Sequence, residues 1–258
     1  MKIYAGVEKG NRVHKDHCED RVLVGREIID QGYYETELNT PVFLAAVSDG
    51  VGGRPMGWLA AKTVLETLSQ ISLENMQDNK QLLETVKLAN EKIFRLSRND
   101  KECKGMATTL SLLKISNGVA TILHLGDTRV YQLIPMQGIY MLKQLTKDQN
   151  NMTWWMELPE YEDYTEQELK TRRGWYAITS YIGMNSEDLE DKVQIIDQIS
   201  LNGMFILTSD GIHDYIPHHE FRKALSMDAE PKEIIRELMK KAKDNGSVDD
   251  QSIIIVKP

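Results

Sequence analysis

Apolar and polar positions divide the chain into short strands and a few amphipathic helices. Residues 42–47 (VFLAAV) are apolar at every position, as expected of a strand buried on both faces. The segment GWLAAKTVLETLSQ that follows predicts a helix with Trp58, Ala61, Leu65 and Leu68 on one stripe. A second helix is predicted over 79–98, where Leu82, Val86, Ala89, Ile93 and Leu96 recur at alternating spacings of four and three. Strand patterns then crowd together at 108–115, 119–125, 129–134 and 139–142, with Asn117-Gly118 and Gln137-Gly138 as hairpin turns. Residues 150–176 are polar, carry Trp154, Trp155 and Trp175 and keep no clean period, which predicts an irregular, partly helical excursion. A strand returns at 203–208, helices follow at 217–226 and 231–243, and SIIIV closes the chain as a strand.

Helices and strands do not alternate one for one. The order therefore predicts an α+β arrangement of antiparallel sheets with helices outside them rather than a doubly wound parallel sheet. No internal repeat or Pro/Ser-rich linker divides the 258 residues, so a single domain, 1–258, is expected. Hydrophobic residues make up 41% and charged residues 27%, ordinary values for a globular chain. No apolar run approaches the roughly 18 residues of a membrane span, the N-terminus has no signal-like core, and a cytoplasmic location is expected. The formal charge of −8 argues against nucleic acid or an anionic membrane as partner. Cys18 and Cys103 fit no zinc spacing and are read as reduced thiols.

Carboxylates recur where strands end. Asp49 closes the first buried strand, Asp210 closes FILTSDG, Asp127 follows ILHLG, Asp249 and Asp250 precede SIIIV, and Glu19 and Asp20 precede a strand in HCEDRVLV. Each alone reads as an ordinary turn or cap. Should the ends meet, each like-charge pair at about 4 Å costs roughly 4 kcal/mol at an effective dielectric of about 20, so the cluster needs protons or cations. Oxygen-only donors favour Mg2+ or Mn2+ over zinc. Two such ions sharing a carboxylate could activate water for in-line attack on phosphorus. Gly50 could offer its carbonyl, and Gly52 and Gly53 would let the turn pass close by.

These segments resemble the metal-dependent protein phosphatases of type 2C, in the family's order and over nearly the whole chain. CEDR resembles its Asn-Glu-Asp motif and VSDGVGGRPMGWLAA its Asp-Gly-x-Gly-Gly segment with the helix after it. GMATTL, GDTRVY, LTKDQN, ITSYIG, LTSDGIHD and DDQSIIIV resemble six further motifs. The resemblance implies a four-layer α-β-β-α sandwich and a protein serine/threonine phosphatase holding two Mn2+ or Mg2+ ions. Asp49 would bridge the ions, Asp210 and Asp249 would complete the first, and the Gly50 carbonyl would serve the second. Glu19 and Asp20 would hold metal-bound waters. Asp127, with Asp210, matches the pair that holds a third, weaker ion in bacterial members. Residues 150–176 fall at the family's variable flap. The implied partners are a phosphorylated protein substrate and an opposing Ser/Thr kinase, and a monomer is expected.

Five departures accompany the likeness, one of them Trp58 where the family usually has a Glu in the helix after the glycines. The family's phosphate-binding Arg falls on Lys15, with Arg12 close enough to substitute; Lys binds phosphate as a point charge, without a bidentate fork. The motif's Asn becomes Cys18. The closing Asn becomes Asp250, an added charge beside the metals, and the His of the Leu-Thr-x-Asp-His motif becomes Gln149. Arg129 is expected to partner nearby acids. His14 and His17 are the histidines nearest the site in sequence and read mainly as surface residues. The competing readings are a pseudophosphatase that binds without turnover and a small-molecule phosphoesterase on the same fold.

Overall fold

The computed structural model describes residues 1–13, 15–72 and 78–258. Twelve strands among these residues form two six-stranded antiparallel sheets. The first has the order β4-β1-β12-β11-β8-β9, with β1 Lys2–Glu8, β4 Gly32–Glu37, β8 Arg129–Met136, β9 Ile139–Gln144, β11 Met204–Thr208 and β12 Gln251–Lys257. The second has the order β10-β7-β6-β5-β2-β3, with β2 Asp20–Val24, β3 Glu27–Ile29, β5 Val42–Asp49, β6 Leu110–Ser116, β7 Val119–Leu125 and β10 Gln194–Ser200.

Strand β5 shows why the layers stack. Phe43, Ala45 and Val47 point into the core between the sheets with Val22, Leu113, Val130, Phe205 and Ile254. Leu44 and Ala46 point the other way, toward Leu65 and Leu68 of α1 (Gly57–Ser69) and Val86 and Ile93 of α2 (Asn79–Asn99). Alternation along one strand thus feeds two apolar layers, which is why the run is apolar throughout. On the far side, Ile206, Ile253 and Ile255 pack under α7 (His218–Leu225) and α8 (Pro231–Asp244) through Phe221, Leu225, Ile235 and Leu238. The result is the expected α+β sandwich, helices outside two face-to-face sheets.

The sequence pattern leaves out β1, β3, β4, β10 and the short helix α5 (Ser186–Lys192). Edge strands β4 and β10 are half-exposed and polar, and β10 is broken by a bulge between Ile196 and Ile199, so neither carries a clean alternation. Leu96, expected on the buried stripe of α2, is 40% exposed, because the buried face passes from Ile93 to Ser97 instead. Residues 150–176 hold α3 (Asn151–Met156), a 3-10 turn over Pro159–Tyr161 and α4 (Glu166–Lys170), capped reciprocally by Thr165 and Glu168.

Candidate active site

Four of the strand-end acids meet. Asp49, Asp127, Asp210 and Asp249 line one cleft of about 480 Å3 together with Gly50, Arg12, Lys15, Arg54 and Tyr176–Ile178. Asp49 ends β5, Asp127 sits in the turn from β7 to β8, Asp249 precedes β12, and Asp210 opens the one-turn helix α6 (Asp210–His213) after β11. Both sheets contribute, so the cleft lies where their strand ends coincide.

Local hydrogen bonding fixes these positions. The Asp49 carbonyl accepts from the Thr109 N–H at 2.8 Å and the Thr108 hydroxyl at 2.7 Å, and the Asp49 N–H donates to Thr109 Oγ1 at 3.0 Å. The Gly50 N–H donates to the Glu19 carbonyl at 3.2 Å. Glycine is required at 50, where a Cβ would stand 2.3 Å from the Gly57 carbonyl carbon at the start of α1, and at 211, where a Cβ would stand 1.9 Å from the Asp250 carbonyl oxygen. Gly52 makes its close approach to Arg12, whose Nη1 would stand 2.8 Å from an added Cβ, rather than to the cluster of acids.

The electrostatics follow from burial of like charges. The Asp49 and Asp210 carboxyls are pushed well above the usual carboxylate range, first by desolvation and then by neighbouring carboxylates. Burial, with Asp148 and Asp214, pushes Asp127 up to about 8. Asp249 is raised by burial against the opposing pull of Arg12 and Lys15. Asp210 Oδ1 is buried with no hydrogen-bond donor among the described residues.

Glu19 and Asp20 stand behind this front. Asp20 is fully buried, directly opposite Asp49 in the β2–β5 pair, and is pushed up to about 7 by burial and then by Asp250. Glu19 pairs with Lys15, and Arg12 pairs with Asp249. Lys15 Nζ is also 3.9 Å from Asp249 Oδ1. The two expected phosphate-binding cations therefore sit among the acids.

Hard cations fit the donor chemistry, which is oxygen-only, with the Asp49 and Asp210 carboxyls raised by burial and by neighbouring carboxylates and with an orphaned Asp210 oxygen. Among the described residues no group of three or more His, Cys, Asp or Glu side chains is arranged to hold an ion as it stands. Arg12 and Lys15 engage two of the acids concerned.

Asp250 acts as a charge on Asp20, Glu19 and Asp249, and it is also a structural brace. Its carboxylate accepts from the Gly10 N–H at 2.7 Å and the Glu19 N–H at 2.7 Å, and so ties the N-terminal segment and the start of β2 to the start of β12. Gln149 is equally structural: its amide accepts from the Gly126 N–H at 2.8 Å and donates to the Lys192 carbonyl at 2.6 Å. Arg129 grips Asp148 with two nitrogens, Nε at 2.9 Å from Oδ1 and Nη2 at 2.6 Å from Oδ2, as expected of a partner to acids. Cys18 and Cys103 are free and buried, and burial raises both thiols. His17 packs against Trp58 with ring centroids 5.0 Å apart, and His14 lies outside the described residues.

Sequence reasoning missed three contributors. Thr108 and Thr109 anchor Asp49 although their segment carried no assigned role. Asp214, the last acid of LTSDGIHD, is half-buried 3.7 Å from Arg129 and raises both Asp127 and Asp210. Its place one helical turn after Asp210 was the available signal. Tyr176, the last residue of the flap, and Ala177 and Ile178 just past it wall the cleft.

Known proteins agree with this geometry. The family described as Protein phosphatase 2C matches residues 15–249. The chain is 26% identical over 215 residues to protein phosphatase PhpP of Streptococcus pneumoniae, covering 81% of this chain and 83% of that one. The structure of the serine/threonine phosphatase Stp1 from Staphylococcus aureus has the same fold, with a TM-score of 0.79 at 22% identity over 98% of this chain and 93% of that one. The Mycobacterium tuberculosis phosphatase PstP also shares the fold, with a TM-score of 0.76 at 20% identity over 99% and 98% of the two chains. This chain belongs to the protein phosphatase 2C family.

Proposed function

We propose that this chain removes phosphate from phosphoserine and phosphothreonine of protein substrates by direct attack of water. The observation that carries the reading is the meeting of Asp49, Asp127, Asp210 and Asp249 from four strand ends in one cleft, with all four carboxyls raised by burial and those of Asp49 and Asp210 raised further by their carboxylate neighbours. Named relatives that are protein phosphatases support the substrate class.

Asp49, Asp210, Asp249 and the Gly50 carbonyl would hold two ions, Mn2+ or Mg2+. Glu19 and Asp20 would orient water around them, and Asp127 with Asp210 would take a third, weaker ion. When bound, such ions supply Lewis acidity and a water of lowered pKa. The chain's own residues do the rest. Thr108 and Thr109 hold Asp49 by its backbone, so its carboxylate presents a fixed direction. Arg12 and Lys15 line the cleft as cations for the phosphoryl oxygens, and Arg12 alone offers a planar fork. Cys18 and Cys103 are buried, with thiols raised away from the thiolate, which leaves no place for a cysteinyl-phosphate.

The test is hydrolysis of para-nitrophenyl phosphate and of a phosphothreonine peptide with Mn2+ or Mg2+, with and without chelator. Activity abolished by chelator and cut at least about a hundredfold in Asp49→Asn and Asp210→Asn is expected. An Asp49→Asn protein of undiminished turnover would refute the assignment.

A further inference from the structure

A second cavity, about 750 Å3, adjoins the acid-lined cleft and shares Arg54 with it. Its walls come from the C-terminal end of α2, the turn that follows, and residues 181–185. They bring together Arg54, Arg98, Lys101 and Lys104. All four are exposed, and none belongs to an ion pair among the described residues. Asp100, the one acid on the wall among the described residues, accepts the Glu102 N–H of its own chain at 2.9 Å. Four unpaired cations around one cavity stand out in a chain of formal charge −8.

Arg54 is positioned rather than free to wander. Its Nη1 donates to the Gly105 carbonyl at 3.0 Å, and its guanidinium lies 4.9 Å from the centre of the Tyr181 ring. One carbonyl uses one of five guanidinium donors, which leaves the others for a ligand in either cavity. Arg54 thus forms the shared wall between the place where a phosphoryl group would react and a basic recess beside it.

We propose that this recess is a docking subsite for acidic side chains, Asp or Glu, flanking the phosphoresidue of the protein substrate. The inference rests on the phosphatase reading of the adjoining cleft. An acidic flank entering the cleft itself would meet Asp49, Asp127, Asp210 and Asp249. The same flank led past Arg54 meets Arg98, Lys101 and Lys104, so the charge layout gives such a peptide one direction of approach. Phe94, Tyr181 and Met184 on the same wall accommodate the aliphatic stems of Glu side chains. Exposed ion pairs are individually weak and screened within about 8 Å at physiological salt. The expected preference is therefore modest and salt-dependent.

The experiment compares kcat/KM for two phosphothreonine peptides that differ only in flanking Glu and Asp versus Gln and Asn, with para-nitrophenyl phosphate as a flank-free control. Wild-type protein should favour the acidic peptide by roughly three- to tenfold at low salt, falling toward one as salt rises. Lys101→Gln with Lys104→Gln should reduce that ratio, and Lys101→Glu with Lys104→Glu should invert it, each leaving turnover of the control unchanged. Normal control turnover with a ratio near one, or a ratio untouched by both double variants, would overturn the docking subsite. Failure of the wild-type protein to hydrolyse the control at all would instead overturn the phosphatase reading beneath it.

Discussion

Asp20 and Asp49 face each other directly across the antiparallel pair of β2 and β5. Residues opposed in this way share a face of the sheet, with Cβ atoms about 4.5–5.5 Å apart, and like charges there are destabilising. Both carboxyls are raised, desolvation first, with Asp250 acting most on Asp20 and Asp20 most on Asp49. An arrangement so costly by itself gives a reason for protons or cations to gather at one end of the sandwich.

That cost has a pH signature. Unfolded, these carboxyls titrate near 4; folded, Asp20 is raised to about 7 and Asp127 to about 8. The fold therefore binds protons that the unfolded chain has released. The contribution of these groups is fully present below about pH 4 and is lost as pH rises through 7 to 8. Without metal ions, the melting temperature should fall between pH 5.5 and 8.5. Added Mn2+ should raise it more at pH 8.5 than at 5.5, because deprotonated ligands bind metal. Scanning calorimetry across this range checks both; a metal-free melting temperature that climbs with pH would contradict the assignment.

Asp250→Ala should destabilise without involving catalysis directly. It strands the N–H groups of half-buried Gly10 and buried Glu19, each at 2.7 Å from a carboxylate oxygen. About 2–4 kcal/mol is expected in urea unfolding. Asp250→Asn, which keeps one acceptor and turns a donor toward the other N–H, should fall between this variant and wild type.

Arg129→Ala should cost about 3–5 kcal/mol, because it leaves Asp148 buried with its main cation gone. Arg129→Lys should recover part of this, keeping the charge and losing the two-nitrogen grip. It should also leave Asp127 and Asp214, which feel the Arg129 charge, close to their wild-type titration, while Arg129→Ala should raise both. Chemical denaturation and NMR titration of the carboxyl carbons would test these expectations separately.

Arg12→Ala should raise KM for para-nitrophenyl phosphate about tenfold, the loss of one partly exposed charge-assisted contact. Steady-state kinetics at saturating Mn2+ makes the comparison; an unchanged KM would move phosphate binding to Lys15 alone.

Much of this could be read from residue order. The unbroken apolar run 42–47 announced a strand with a layer on each face, and the spacing in α2 announced its buried side down to Ile93. The turns at Asn117-Gly118 and Gln137-Gly138 gave two hairpins, since few residues accept the positive φ found there. Acids at strand ends marked the site because a buried strand has no local use for a carboxylate. The edge strands β4 and β10 stayed hidden because half-exposed backbone imposes no period on its side chains.

What residue order could not decide is which partner each charge takes. Asp249 and Asp250 are neighbours in sequence and alike in chemistry, yet one faces the cleft and Arg12 while the other is folded back onto the Gly10 and Glu19 amides. Gln149 braces two loops, and Arg54 joins the acid-lined cleft to a basic recess formed by residues more than forty positions away. Sequence determined eight of the twelve strands, most of the buried faces and the supply of carboxylates, since periodicity and turn chemistry are local. The pairing of charges depends on distance in space between strand ends from two sheets, and only the closed sandwich sets that distance.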